Sequence, residues 1–309
     1  MAVVNDQLEG IPLDWGSPYS FYGLKNDPES WEKARAVIIP VPYDGTTTYV
    51  SGTREGPRAV ILASRELEPY DEETGTEPWK FGIFTLEELP VVVSSPEEMV
   101  ALVKDVSLRV IQSGKIPVLL GGEHLMSLGV IQAIGSGYGK EEVTILHFDA
   151  HADLRDEYQS SRYSNACVMR RALEFFPVVS IGVRSLTREE HEFAIGNSDV
   201  NIFFAQNIWE SPKILDEAIK LLNPHVYVTI DLDVLDPSIM PAVGTPEPGG
   251  ITWYQLLKIL RHTSETRKII GFDVMELRPI PGNVAPDFTA ARLIYKMLAY
   301  VFSSPFYGE

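Results

Sequence analysis

Cysteine is almost missing from this chain of 309 residues: Cys167 stands alone, so no disulfide can close within it. Long apolar runs are missing too, and no uninterrupted stretch approaches the roughly 18 residues needed to cross a bilayer. The opening MAVVNDQLEG has no basic region leading into an apolar run, so no secretory signal is expected there. Positive charge is scarce, with 26 Lys and Arg against 43 Asp and Glu and a net charge of −17. That balance argues against nucleic acid or an anionic membrane as the main partner, and it is compatible with a cationic substrate. No linker, low-complexity segment or internal repeat interrupts the chain. The expectation is a soluble, cytoplasmic protein forming one domain over residues 1–309, with an irregular segment over about 1–30.

What the chain does have is a hydrophobic share of 45%, enough for a large core, cut into short β-rich runs. Strands are predicted at 36–42, 89–93, 116–122, 143–149, 178–184, 201–205, 225–233 and 268–276. Most are continuously apolar and do not alternate, as in strands buried on both faces of a parallel sheet. Helical patterns lie between them. SSPEEMVALVKDVSLRVIQSG has Ser95 as cap, Pro96 at the first helical position, early acids and a closing glycine. SPKILDEAIKLLN and TWYQLLKILRHT follow the same logic. The alternation predicts an α/β fold, a mostly parallel sheet with helices on both faces.

Four of the predicted strand ends carry unusual residues: GGEH with His124, DAHAD with Asp149, His151 and Asp153, DLDVLDP with Asp231 and Asp233, and DVMELRP with Glu276. In such sheets ligands bind beyond the carboxyl ends of strands. Residues two apart in an extended segment point to the same side, so each period-two set converges on one point. A lone Asp or His there is ordinarily a helix cap. Four acidic or imidazole clusters at one sheet edge are not explained by capping, and converging carboxylates repel unless cations sit among them. Four carboxylates and two imidazoles exceed the needs of one tetrahedral zinc. They suit two divalent ions sharing carboxylates, with the oxygen-rich set leaning toward Mn²⁺. A bridging hydroxide would leave the centre at a charge of about −1, tolerant of a cationic substrate.

At these residues the sequence resembles the ureohydrolase family of arginases, agmatinases and their relatives. The matches are GTREGPRAV, GGEH (GGDH in the family), HFDAHAD, IDLDVLDPSIMPAVGTPEPGG and GFDVMELRP, across about residues 36–300. The resemblance implies a three-layer α/β/α fold and two Mn²⁺ per chain. It implies that His124, Asp149, Asp153 and Asp231 hold one ion and Asp149, His151, Asp231 and Asp233 the other. Glu276 would pair with the substrate guanidinium, and Asp153 would carry a proton to the leaving amine. The implied reaction is hydrolysis of a linear cationic guanidine to urea and an amine by a metal-bridging hydroxide, in polyamine biosynthesis, by a homo-oligomer, trimer or hexamer. RDEYQSSRYSNACVMRR resembles agmatinases and aminopropylagmatine ureohydrolases more than arginases.

One residue departs from the pattern. Asn165 stands where the family has a His that moves protons and positions the leaving group. Asn hydrogen-bonds but does not titrate near neutrality, so impaired turnover is one expectation and a different proton path another. Thr245, in GTPEPGG, is a candidate substrate contact beside Glu276 and Asn165. Cys167 reads as packing, and His147 as a core residue or a support for a ligand. Trp15, Tyr19 and Tyr22 either close the pocket or merely pack. Other functions compete: a phosphatase using the Asp-x-Asp of VYVTIDLDVLD, a metal-bearing guanidine binder without turnover, and an arginase or other guanidine hydrolase.

Overall fold

The computed structural model describes residues 18–307 apart from 212. Eight strands form one sheet: β1 (Ala36–Val41), β2 (Ile83–Thr85), β3 (Ile116–Gly121), β4 (Val143–Phe148), β5 (Val178–Val183), β6 (Val200–Phe204), β7 (His225–Asp231) and β8 (Lys268–Met275). The order is β2-β1-β3-β8-β7-β4-β5-β6, and every pairing is parallel. The helices are α1 (Pro28–Lys33), α2 (Gly56–Ser64), α3 (Pro96–Gln112), α4 (Ser127–Ile134), α5 (Val168–Ala172), α6 (Arg188–Ile195), α7 (Ala205–Glu210), α8 (Ile214–Lys220), α9 (Trp253–Thr266) and α10 (Ala285–Phe302).

The continuous apolar runs have a direct cause. Along β1, Ala36 and Ile38 join the buried cluster under α2, α8, α9 and α10 on one face of the sheet, while Val37, Ile39 and Val41 join the cluster under α3, α4 and α5 on the other. Both faces are covered, so no strand position can be polar at low cost. The result is the expected three-layer α/β/α arrangement. Helix α3 begins as its sequence predicts: the Ser95 hydroxyl accepts the Glu98 N–H at 3.1 Å, Pro96 sits in the first turn, and Gly114 just beyond the helix has φ of +75°.

One expectation is corrected. The run at 89–93 is not a strand; the edge strand is the shorter Ile83–Thr85. Pro90 has no N–H to donate, and Val93 is 92% exposed, so the apolar run is not buried. The long helix α10 was not anticipated. Its positions from Leu293 to Phe302 are buried all round, which erases the 3.6-residue contrast that marks a surface helix. The described part of the segment expected to be irregular, from residue 18, holds a short turn at Phe21–Gly23 and the start of α1.

Candidate active site

The candidate residues sit where strands β3, β4, β7 and β8 end. His124 follows β3, Asp149 directly follows β4, Asp231 is the last residue of β7, and Glu276 directly follows β8. The glycines of GGEH bring the first of these ends close to the β1 loop. A Cβ on Gly122 would stand 1.9 Å from the Tyr43 carbonyl oxygen, so only glycine fits. Asp153 and Glu276 hold φ of 54° and 66°, a left-handed conformation that costs non-glycine residues energy and is concentrated at working sites.

The cluster is tight. His124 Nδ1 is 3.0 Å from Asp149 Oδ2 and 3.5 Å from both Asp153 Oδ2 and Asp231 Oδ2. His151 Nδ1 is 3.0 Å from Asp233 Oδ2 and 3.3 Å from Asp149 Oδ1. One possible ligand group is His124, His147, Asp149 and Asp153, and another is Asp149, His151 and Asp233, with donor atoms in each within 4.8 Å of one another. Asp149 belongs to both groups. His147 is within reach of the first, but its ring is already used: Nδ1 meets Ser180 Oγ at 2.9 Å and Nε2 meets Asp149 Oδ2 at 3.0 Å. It supports Asp149. Asp231 falls outside both groups, its Oδ1 accepting the Asp233 N–H at 2.8 Å while Oδ2 faces His124.

A buried relay fixes the His124 ring. Asp273, within β8, accepts the Thr229 hydroxyl at 2.7 Å and the Tyr227 hydroxyl at 2.6 Å. With its proton given to Asp273, Thr229 accepts from His124 Nε2 at 2.8 Å, which leaves the Nδ1 lone pair for the cluster.

Electrostatics show what this donor set requires. Burial and neighbouring carboxylates hold Asp153 and Asp231 well above the usual carboxylate range. Glu276 is raised likewise by burial and by Asp231 and Glu123. Burial opposes ionisation of Asp149, yet hydrogen bonds from His124, His147 and His151 outweigh it and hold its carboxyl well below that range. Burial would lower His124 and His151, but the facing aspartates raise both. Buried carboxyls that resist ionisation side by side, with oxygen and imidazole donors this close, suit divalent cations.

His124, His151, Asp153, Asn165, Asp231, Thr245 and Glu276 all line one cavity of about 220 Å³. Asn165 Oδ1 accepts the Ala166 N–H at 2.9 Å and the Ser164 hydroxyl at 3.1 Å, so the amide oxygen is held within its own turn. Cys167 is buried and its thiol pushed up to about 12, mainly by burial, in keeping with packing. Tyr22 stacks on Tyr295 at 5.3 Å and Tyr19 donates to Glu88; neither lines the cavity, and Trp15 lies outside the described residues. Sequence reasoning passed over Asp273, Arg184 and Glu123. Arg184 donates to the carbonyls of Asp233 at 2.7 Å and Glu247 at 2.8 Å, tying the β7 turn to the loop carrying Thr245. Asp273 had a signal, an acid inside the apolar run KIIGFDVM.

The sequence matches the arginase family over residues 34–299. The chain belongs to the arginase family. It is 40% identical over 278 residues to the N(1)-aminopropylagmatine ureohydrolase of Synechocystis sp., covering 88% of this chain and 90% of that one. It is also 40% identical over 275 residues to the N(1)-aminopropylagmatine ureohydrolase of Thermus thermophilus, covering 89% and 92%. Among solved structures, the agmatine ureohydrolase of Thermoplasma volcanium superposes with a TM-score of 0.83 at 29% identity, over 96% of this chain and 98% of that one. Arginase-family membership removes the basis for the phosphatase alternative, which had no use for GGEH or DAHAD.

Proposed function

We propose that this arginase-family protein is an agmatinase-type ureohydrolase that hydrolyses agmatine or an N-substituted agmatine to urea and an amine, in polyamine biosynthesis. The observation that carries the reading is the placement of Glu276: a buried carboxylate in the same cavity as the His and Asp cluster, where a guanidinium can meet both. The relatives named for agmatine and aminopropylagmatine support the substrate class. His124, Asp149, Asp153 and Asp231 would hold one Mn²⁺, and Asp149, His151, Asp231 and Asp233 a second. Bound there, the two ions would lower the pKa of a water and make a nucleophile available near neutral pH.

The residues of the chain have separate tasks. Glu276 turns the guanidinium so that its central carbon faces the cluster, through a charge-assisted fork. Asp153, a cluster carboxylate that lines the cavity, takes a proton from the attacking water and delivers it to the departing amine. The bond between the guanidino carbon and the alkyl nitrogen breaks as the new carbon–oxygen bond forms. Asn165 and Thr245 contact the substrate along the cavity wall. This reading includes one domain, a homo-oligomeric state and a cytoplasmic setting, which the single cysteine suits.

The test is urea release with added Mn²⁺ from agmatine, aminopropylagmatine, arginine and guanidinobutyrate, with formamide release scored for formiminoglutamate. Agmatine or aminopropylagmatine should have the highest kcat/KM. A higher kcat/KM for arginine, or no urea from any guanidine, would overturn the reading.

A further inference from the structure

The segment GGEH contains a buried acid that the proposed chemistry does not use. Glu123 is fully buried between Gly122 and the candidate ligand His124. Its carboxylate meets the loop after β1. There Oε2 accepts the Thr46 N–H and Oε1 accepts the Thr46 hydroxyl, both at 2.6 Å. The same Thr46 oxygen accepts the Asn165 N–H at 3.0 Å. Asn165 lies 119 residues further on, and its side chain lines the cavity.

We propose that Glu123 is a positioning residue that acts through Thr46 on Asn165. A hydroxyl has one proton. Glu123 takes it, so the oxygen of Thr46 is left with lone pairs only and can serve the Asn165 N–H. The carboxylate also polarises the hydroxyl, which strengthens its second bond. The loop itself is held in place: Asp44 Oδ2 accepts the Gly52 N–H at 2.9 Å, and Thr47 donates to the Asp44 carbonyl at 3.1 Å. Thr46 is therefore a fixed strut, and its hydroxyl sets the start of the turn Asn165–Cys167. The length of the acid matters. An aspartate at 123 would be shorter by about 1.5 Å, one carbon–carbon bond, and would not span both contacts.

The kinetic arm of the test rests on the ureohydrolase reading; the exchange arm does not. All measurements use the full chain loaded with Mn²⁺. In Thr46→Val, amide exchange of the peptide covering residues 161–167 should speed by about 3- to 10-fold, the loss of one hydrogen bond. Thr46→Ser should restore it. Glu123→Asp should reproduce the Thr46→Val pattern, with the metal content of the wild type. With agmatine or aminopropylagmatine, Thr46→Val should lower kcat by a similar factor, and that loss should vanish when Asn165 is already alanine. Unchanged exchange over 161–167 in Thr46→Val overturns the proposal. So does an equal loss of kcat in the Asn165→Ala background, or a fall in bound metal in Glu123→Asp. If the wild type releases no urea at all, the functional reading fails, and the exchange arm alone decides whether Glu123 and Thr46 hold the Asn165 turn.

Discussion

Replacing Glu276 by Gln strikes the proposed contact with substrate while leaving the cluster in place. The Glu276 carboxylate is buried at the cavity wall, and its Oε1 already accepts the His124 N–H at 2.7 Å. The other oxygen and a remaining lone pair are what a guanidinium fork would use. Glutamine keeps the volume and can keep the His124 bond through its amide oxygen. Its NH₂ group then stands where Oε2 stood and presents a donor to a donor. A charge-assisted hydrogen bond contributes about 1.5–3 kcal/mol, and breaking a buried charge pair costs about 2–5 kcal/mol. The kcat/KM for agmatine should therefore fall about 30- to 5,000-fold. A fork made in ground and transition states alike should appear largely in KM. The assay is the initial rate of urea release by Mn²⁺-loaded protein, with metal measured on the same samples. A kcat/KM within about threefold of the wild type would refute the pairing. Loss of metal in place of substrate affinity would refute it equally, since Glu276 would then belong to the ligand set.

Further outcomes are expected. Metal analysis should find two divalent ions per chain, with Asp149→Ala and Asp231→Ala each disturbing both and Asp233→Ala mainly one; a wild-type stoichiometry of one or less would contradict this. Asn165→His should raise kcat by about 10²–10⁴-fold with little change in metal content, and add a pH limb near 6.5; an unchanged profile would show that the position is no proton carrier. Lys296 is 2.9 Å from both Asp71 Oδ2 and Glu72 Oε1, with its side chain and that of Asp71 almost fully buried. Lys296→Met should cost about 3–5 kcal/mol in denaturant unfolding, by leaving Asp71 buried without its partner, and an unchanged midpoint would refute it. Burial raises the Asp71 carboxyl, but Lys296 and Thr74 outweigh it and hold it below the usual value. The stabilisation from Asp71 in the native chain is thus present above the unfolded carboxyl value of about 3.9 and lost as pH falls through the lower folded one.

Much of the fold was legible because the same physics acts locally and globally. Strands covered on both faces must be continuously apolar, and seven of the eight predicted runs overlap the observed strands. The candidate site was legible because its residues break those runs at their ends, where polar side chains have no structural reason to gather. Three things were not legible. Val91 and Val93 are apolar yet exposed, and composition does not report burial. Helix α10 is buried on all sides from Leu293 to Phe302, so that stretch lacks an amphipathic signature. Glu123 and Thr46 meet across 77 residues, and no periodicity in either segment encodes that encounter.

The strand order has a consequence for how the protein comes into being. The last strand, β8, lies between β3 and β7, so the sheet is not continuous until Lys268–Met275 is in place. His124 leans on Thr229, 105 residues later, and on Glu276, 152 residues later. A chain emerging from the ribosome therefore cannot assemble this His and Asp cluster piecemeal. The cluster closes only after Glu276 has been made, and such distant pairings are slow to form. Capture of the proposed ions would then be a late event, a chemical signal that folding has finished.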